Sequence, residues 1–262
     1  MGEIELRNVS LSFPNPKSPE PNVVYENFSI KIEKGSFTFL LGPSGCGKST
    51  FLNIINGLLT PTSADAVLVD GQDIRRHPEL TRRMGYVFQG PRLLPWKTLR
   101  ENVEFGLKGL GVQPKERWPE LIEKYFAMAG LSKFMDHYPS QVSGGMQQRA
   151  AIVRAWVNEP EILLMDEPFS HLDEITAAEL RSELVSLWAR EEERRTIVFV
   201  THNISEAAQM ASDVVVLTPT PSQICYRRTI DIPWPRTSTD DAVFEIEKEL
   251  RHVFAERAGV RV

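Results

Sequence analysis

A nine-residue stretch has the residue types and spacing of a loop that binds phosphate. It matches the pattern G-x-x-x-x-G-K-[ST] and consists of Gly42, Pro43, Ser44, Gly45, Cys46, Gly47, Lys48, Ser49 and Thr50. Glycines allow backbone N–H groups to approach phosphate oxygens, while the lysine reaches the β- and γ-phosphates and the serine hydroxyl ligates Mg²⁺. A strand-like run precedes the motif and a predicted helix, 49–57, follows it. The alternative is a glycine-rich turn that binds no ligand.

Two adjacent carboxylates follow an apolar run of strand length. Asp166 and Glu167 come directly after Ile162–Met165. Phosphate chemistry needs a metal held by a protein oxygen, which suits Asp166. In an extended chain Glu167 would point to the opposite side, where it could polarise an attacking water. The alternative is a simple turn over residues 166–168.

A Ser-Gly-Gly sequence lies 23 residues before Asp166. Ser143, Gly144 and Gly145 open a predicted helix that ends near Val157, so their amides and hydroxyl could form a second anion site. By itself this would be a weak turn signal. Between a phosphate loop and an Asp-Glu strand end, however, the stretch 142–149 resembles the signature motif of ATP-binding-cassette ATPases.

Three further residues match motifs of that family in order. Gln89 is similar to the loop glutamine that reaches Mg²⁺ and the attacking water, Asp173 to the aspartate of the D-loop, and His202 to the switch histidine that contacts the γ-phosphate. A histidine after a strand is otherwise a surface residue. The sequence departs from the family pattern at Val142, Met146, His171 and Asn203, and neither of the last two changes removes a group that contacts phosphate.

Two residues near the phosphate loop leave alternatives open. Family members stack adenine on an aromatic residue ahead of the loop, and we favour Phe13 for this role over Tyr25, which directly precedes a strand and is expected in the core. Cys46 is either a reactive thiolate, favoured by the helix N-terminus and Lys48, or a small residue that fills the loop.

The apolar pattern predicts an α/β fold with a mostly parallel core sheet. Short apolar runs separated by helix-length segments are typical of buried parallel strands, and they comprise Phe37–Leu41, Met84–Phe88, Ile162–Met165, Thr196–Val200 and Asp213–Leu217. Alternating residues ahead of the first run predict an antiparallel β subdomain. A helical subdomain is expected at about 90–160, inside a single ATPase domain of the P-loop NTPase class covering 1–262. The tail, 218–262, ends in a helix whose apolar stripe is expected to dock on the core.

Composition excludes several classes of protein. The 30 Lys and Arg against 35 Asp and Glu give a net charge of −5, which argues against a dedicated nucleic-acid binder. No apolar run approaches the length of a transmembrane helix. Two cysteines cannot form a disulfide framework, and no secretory signal is evident, so a reducing, cytoplasmic setting is expected.

The resemblance implies an ATP- and Mg²⁺-dependent ATPase that works as a dimer with two ATPs between its subunits. Within that family, the sequence resembles the ATPases of importers for nitrate, sulfonates or taurine. The implied partners are a second ATPase subunit, a membrane permease that docks near Gln89–Trp96, and a substrate-binding protein. The chain is accordingly expected at the cytoplasmic face of the membrane. The alternatives are the ATPase of an exporter or lipid-trafficking complex, and a non-transport cassette ATPase acting on nucleic acid.

Overall fold

The computed structural model describes residues 2–109, 115–170, 172–190 and 194–257. Along the chain the strands are β1 (Ile4–Phe13), β2 (Asn22–Ile32), β3 (Phe37–Leu41), β4 (Ala66–Val69), β5 (Gln72–Asp73), β6 (Met84–Val87), β7 (Ile162–Asp166), β8 (Thr196–Thr201), β9 (Asp213–Leu217) and β10 (Ile224–Thr229). The α-helices are α1 (Lys48–Ile55), α2 (Leu99–Gly109), α3 (Trp118–Met128), α4 (Gly144–Trp156), α5 (Glu174–Arg190), α6 (Ile204–Met210) and α7 (Asp241–Arg257). Short 3₁₀ turns occur at Pro78–Arg83, Lys115–Arg117, Ser132–Phe134 and Pro139–Gln141.

The central sheet has the strand order β10-β9-β3-β8-β7-β6. All pairs in it are parallel except β10 with β9. Every residue of β3, β7, β8 and β9 is buried, as expected for strands covered on both faces. The predicted mostly parallel core of an α/β fold is therefore confirmed.

A second, antiparallel sheet has the order β2-β1-β4-β5. Its first two strands were predicted from their alternating pattern, whereas the short hairpin β4–β5 was not. Asp70 and Gly71 form the hairpin loop with positive φ values of 49° and 77°, and Val69 pairs with Gln72 across it. An Asp-Gly pair is a known hairpin signal, but only β4 before it is apolar, and the two polar residues of β5 carry no strand pattern.

Two apolar clusters lie on opposite sides of the central sheet. Phe37, Phe39 and Leu41 belong to the cluster that includes side chains from α2, α3 and α4, while Leu40 belongs to the cluster shared with β1, β2 and α1. Alternate residues of β3 thus point to opposite faces of the sheet and pack in different clusters. The helices α2–α4 lie between β6 and β7 in the chain, where an inserted helical segment was predicted.

The tail returns to the core after β9. β10 adds an antiparallel edge strand that the sequence analysis missed, and an ion pair between Arg227 and Asp213 (2.7 Å) joins it to β9. The predicted stripe of α7 is buried and consists of Val243, Ile246, Leu250, Val253 and Phe254. The prediction that this helix docks on the core is confirmed.

Candidate functional site

The phosphate loop connects β3 to α1, as its motif predicts. Gly45 and Gly47 have φ values of 79° and 102°, which disfavour residues with a Cβ. At Gly47 a Cβ would also lie 2.9 Å from the Tyr25 hydroxyl, which donates a hydrogen bond of 2.6 Å to the Gly47 carbonyl. Tyr25 is fully buried and therefore supports the loop from the core, as the sequence analysis expected of it.

Lys48 folds back over the loop that precedes it. Its Nζ donates to the carbonyl oxygens of Gly42 (2.8 Å) and Pro43 (3.0 Å), and the side chain is largely buried. Ser44, Gly45 and Ser49 are exposed on the same loop. The ammonium group is thus held beside an open loop of backbone amides, where it would meet the phosphates of a bound nucleotide.

Cys46 is a filler of the loop. Its side chain is only 1% exposed, and burial raises the pKa of the thiol, outweighing the opposite effect of Lys48. The hypothesis of a reactive thiolate is therefore wrong, because desolvation disfavours the charged form more than the cation favours it. The buried Ser222 of the tail donates a hydrogen bond to the Cys46 carbonyl, a support for the loop that sequence analysis did not find.

Asp166 ends β7 beside the start of α1. Burial raises the pKa of Asp166 and the neighbouring charge of Glu167 acts in the same direction, while the nearby Ser49 hydroxyl acts in the opposite one. A hydroxyl and a partly desolvated carboxylate side by side are hard oxygen ligands of the kind that Mg²⁺ takes, so these residues fit the predicted metal.

Glu167 lies between Gln89 and His202. The Nδ1 atom of His202 is 3.2 Å from Glu167 Oε1, and Gln89 Nε2 is 3.5 Å from Glu167 Oε2. The backbone is not extended at Glu167 as expected but has a φ of 43°, a conformation that residues with a Cβ adopt mainly where the surroundings enforce it. Three residues from separate parts of the chain thus meet at one carboxylate.

The Ser-Gly-Gly motif starts α4, as predicted. Ser143 caps the helix and its Oγ accepts a hydrogen bond from the Met146 N–H (3.3 Å). Within the described part of the chain, no hydrogen bond joins Ser143, Gly144 or Gly145 to the phosphate loop. The fully buried Gln148, one turn further, donates to the Phe88 carbonyl (3.2 Å) and connects α4 to the segment of Gln89.

Asp173 and Phe13 lie at the surface. The Asp173 carboxylate accepts the N–H of Thr176 (3.0 Å) and caps α5, and this backbone hydrogen bond lowers the pKa of Asp173. Phe13 ends β1, pairs with Asn22 and is 39% exposed, so its ring has a free face for a ligand.

These features agree with the comparisons to known proteins. The family described as ABC transporter matches residues 25–170. An uncharacterized ABC transporter ATP-binding protein from Methanocaldococcus jannaschii is 43% identical over 87% of this chain and 83% of that protein. This chain belongs to the ABC transporter family. It is an ATP-binding, ATP-hydrolysing subunit, as predicted.

Other relatives carry more specific names. The aliphatic sulfonates import ATP-binding protein SsuB of Bacillus cereus is 38% identical over 90% of each chain. The nitrate import ATP-binding protein NrtD of Synechococcus elongatus is 38% identical over 93% of this chain and 86% of its own. A solved ATP-binding cassette, dimeric and bound to ADP and Pi, matches with a TM-score of 0.77 at 33% identity, over 88% of this chain and all of that one. The cassette fold predicted from the motifs is confirmed.

Two features of this ABC subunit bear on its neighbours in an assembly. None of the helices in the described ranges is long and apolar enough to cross a membrane. The segment after Gln89 is held by the fully buried Asn102, whose amide donates to the carbonyls of Leu94 (3.2 Å), Lys97 (3.1 Å) and Thr98 (2.9 Å) and whose carbonyl accepts the Leu94 N–H (2.7 Å). The role of Asn102 was not predicted, because α2 itself was expected only as an unspecified part of the helical segment at about 90–160.

Proposed function

We propose that this protein hydrolyses Mg·ATP to drive a membrane importer for a small anion such as nitrate, a sulfonate or taurine. The observation that carries the proposal is the meeting of Gln89, Glu167 and His202 beside the phosphate loop and Asp166. At this one place Glu167 would supply a base, Gln89 a metal ligand and His202 a polar contact for the γ-phosphate. The names of the sulfonate and nitrate import relatives support the class of cargo.

In this mechanism the chain positions the triphosphate and one water. The loop amides and Lys48 hold the phosphates, while Ser49, Asp166 and Gln89 would hold Mg²⁺, which would supply charge neutralisation at the phosphates. Glu167 accepts a proton from the attacking water and His202 holds Glu167 in place and contacts the γ-phosphate. Phe13 stacks on the adenine. The contacts of Lys48 and of Glu167 with His202 support their roles, whereas the role of Phe13 rests on the family resemblance and on its exposed ring.

Two copies of the chain complete the site. Ser143, Gly144 and Gly145 form the start of α4, where Ser143 and Gly144 are exposed, and in this proposal the helix start contacts the nucleotide bound by a second copy. Asp173 lies between the two copies. The dimeric state of the solved cassette relatives supports this arrangement.

The permease docks on the segment that follows Gln89. Trp96 is 71% exposed and Phe105, on α2, is 53% exposed, whereas most large apolar side chains of the described residues are buried. Arg154 of α4 donates to the carbonyls of Pro91 (2.9 Å) and Arg92 (2.8 Å), so this surface is tied directly to the signature helix. Closure of the ATP dimer would therefore move the docking surface.

The assembly that follows from these surfaces is peripheral to a membrane. One cassette domain spans residues 1–262, with its helical part at about 90–160, and it lies at the cytoplasmic face beneath the permease. A substrate-binding protein on the other side of the membrane delivers the anion. No nucleic acid takes part, in agreement with the net charge of −5.

Co-purification and transport test this proposal. The tagged full chain, purified in detergent from the membranes of its own organism, is expected to bring a multi-spanning permease with it. Trp96→Ala should lose the permease but keep the ATPase activity of the isolated chain. Phe244→Ala, which changes another exposed aromatic residue on α7, should keep both.

The recovered complex in liposomes is expected to transport taurine, an alkanesulfonate or nitrate inward only when Mg·ATP is present on the side of the ATPase. Movement of lipid, or export of solute, would contradict the importer and support the alternative of an exporter or lipid-trafficking complex. Purification without any permease, together with binding of DNA or ribosomes, would contradict transport altogether.

A further inference from the structure

A second cleft lies between α5 and the tail segment 234–238. Its volume is about 650 Å³, within the range of small-molecule sites. Val185, Met210 and Trp234 form apolar parts of its wall, and the hydroxyl residues Ser182 and Ser186 lie along the α5 side. None of the nucleotide or metal residues proposed above lines this cleft.

The charged residues of this cleft are both arginines. Arg181 and Arg236 are buried, and no carboxylate is among the lining residues of the described chain. Among the described residues, the Arg236 guanidinium donates to the backbone carbonyls of Ala208, Ala211, Ile230 and Ile232 and to no acidic group, so its N–H groups are occupied while its charge is not neutralised. Burial lowers the pKa of Arg236 to about 10, which leaves it cationic at neutral pH.

Two buried atoms of lining residues lack a hydrogen-bond partner. They are Nε of Arg181 and Nε1 of Trp234, and both are N–H donors. A buried donor without an acceptor costs free energy, about 1–3 kcal/mol for a typical group. A ligand that brings acceptor oxygens would satisfy these donors.

Arg181 also connects this cleft to the region around Glu167 and His202. It lines the cleft of Glu167 and His202 as well as the cleft of Trp234. Its guanidinium lies 3.6 Å from the buried Glu206 carboxylate, which accepts a hydrogen bond of 2.7 Å from Thr201, the residue before His202. A second guanidinium nitrogen of Arg181 bonds Glu174, which directly follows Asp173.

We propose that the cleft between α5 and the segment 234–238 binds a small organic anion with an apolar body, and that the bound anion alters ATP turnover through Arg181. The anionic oxygens accept hydrogen bonds from Arg181 Nε and Trp234 Nε1, Arg236 contributes its unneutralised positive charge, and the apolar body lies against Val185 and Met210. Because Arg181 holds Glu206 and Glu174 together, a shift of its guanidinium would move Thr201 and His202. This site is independent of the direction of transport.

Calorimetric titration with hexane-1-sulfonate tests the binding. The full chain is held in Mg·ADP so that the phosphate loop is filled, and hexane-1-sulfonate is expected to bind once per chain. Hexan-1-ol, which has the same body without the charge, and sulfate, which has the charge without the body, should each bind at least tenfold more weakly.

Two pairs of variants locate the site. Ser186→Trp fills the cleft and should abolish binding, whereas Ala255→Trp, which places the same ring on the exposed side of α7, should not. Trp234→Phe removes the unpartnered N–H and keeps an aromatic side chain, so affinity should fall several-fold. Trp96→Phe, at an exposed tryptophan elsewhere, should leave affinity unchanged.

ATP turnover at saturating Mg·ATP tests the coupling. Hexane-1-sulfonate is expected to change the turnover of the wild-type chain at least twofold and to leave that of Ser186→Trp unchanged. Without the sulfonate, the two proteins should hydrolyse ATP at the same rate. Absence of binding, or binding that survives Ser186→Trp, would overturn the site. Binding at the cleft with unaltered turnover would overturn the role of Arg181. ATP hydrolysis without the sulfonate reports separately on the proposed function.

Discussion

His202 and Glu167 contact each other across the ends of two neighbouring strands, with 3.2 Å between imidazole Nδ1 and carboxylate Oε1. β7 and β8 are paired in parallel, with Asp166 opposite Val200, so the residues that follow each strand emerge at the same edge of the sheet. The carboxylate proposed to polarise water is thereby placed next to the histidine proposed to contact the γ-phosphate.

Glu167→Gln should separate hydrolysis from nucleotide binding. The substitution keeps the shape and hydrogen bonding of the side chain but removes the base, so turnover should fall by about 10²–10⁴-fold. Nucleotide affinity should persist, since no group that holds phosphate has changed. Steady-state ATPase assays and fluorescent-nucleotide binding measure the two quantities. Asp166→Asn serves as the comparison and should weaken both, because Asp166 is a proposed ligand of Mg²⁺.

The same Glu167→Gln protein should trap the dimer. With Mg·ATP it should elute from a size-exclusion column as a dimer, and with Mg·ADP as a monomer. Adding Ser143→Arg should abolish the shift by placing a bulky side chain at the start of α4. A variant that hydrolyses ATP at the wild-type rate would assign the base to another residue, with His202 the next candidate.

Phe13→Ala should weaken ATP binding with little change in turnover. Loss of one stacking face costs about 1–3 kcal/mol, taking base–aromatic stacking in nucleic-acid sites as the guide, so the KM for ATP should rise roughly tenfold. Phe244→Ala, at another exposed phenylalanine, should leave the KM unchanged. An equal loss of affinity for ATP and for inorganic triphosphate would show that Phe13 does not contact the base.

Cys46 should react slowly with maleimide in the native protein. The Cys225→Ser variant leaves Cys46 as the sole cysteine. Burial raises the pKa of the Cys46 thiol, and because the thiolate is the reactive form, labelling at neutral pH should be far slower than in the unfolded chain. Raising the pH should accelerate it. Mass spectrometry follows the reaction, and labelling at the rate of a free thiol would contradict the buried position.

Asn102→Ala should destabilise the segment that carries Trp96. It leaves the carbonyls of Leu94, Lys97 and Thr98 without their side-chain donor, at a cost of about 1–3 kcal/mol in the free energy of unfolding. Lys108→Ala, on the exposed side of the same helix, is the control and should have little effect. Urea denaturation measures both. If the two variants are equally stable, Asn102 does not organise the segment.

Much of the site could be predicted from the sequence because its residues lie in short local motifs. A loop between a buried strand and a helix presents the same backbone amides wherever it occurs, so 42–50 could be interpreted without knowledge of the rest of the chain. The parallel strands were equally clear, since burial on both faces leaves continuous apolar runs. Short or polar elements such as β5 and β10 carry little pattern and were missed.

What the sequence by itself determined is the chemistry of the chain: a phosphate loop, two carboxylates at a strand end, a helix start with Ser-Gly-Gly, and a switch histidine, all in family order. The tertiary structure alone decided which groups meet. Desolvation, which depends on packing from distant segments, raises the pKa of the Cys46 thiol despite Lys48. Sheet pairing brought His202 to Glu167, and the folding of the tail placed Ser222 beneath the phosphate loop and Arg236 beside α5. Such contacts join residues far apart in the chain, and no local pattern encodes them.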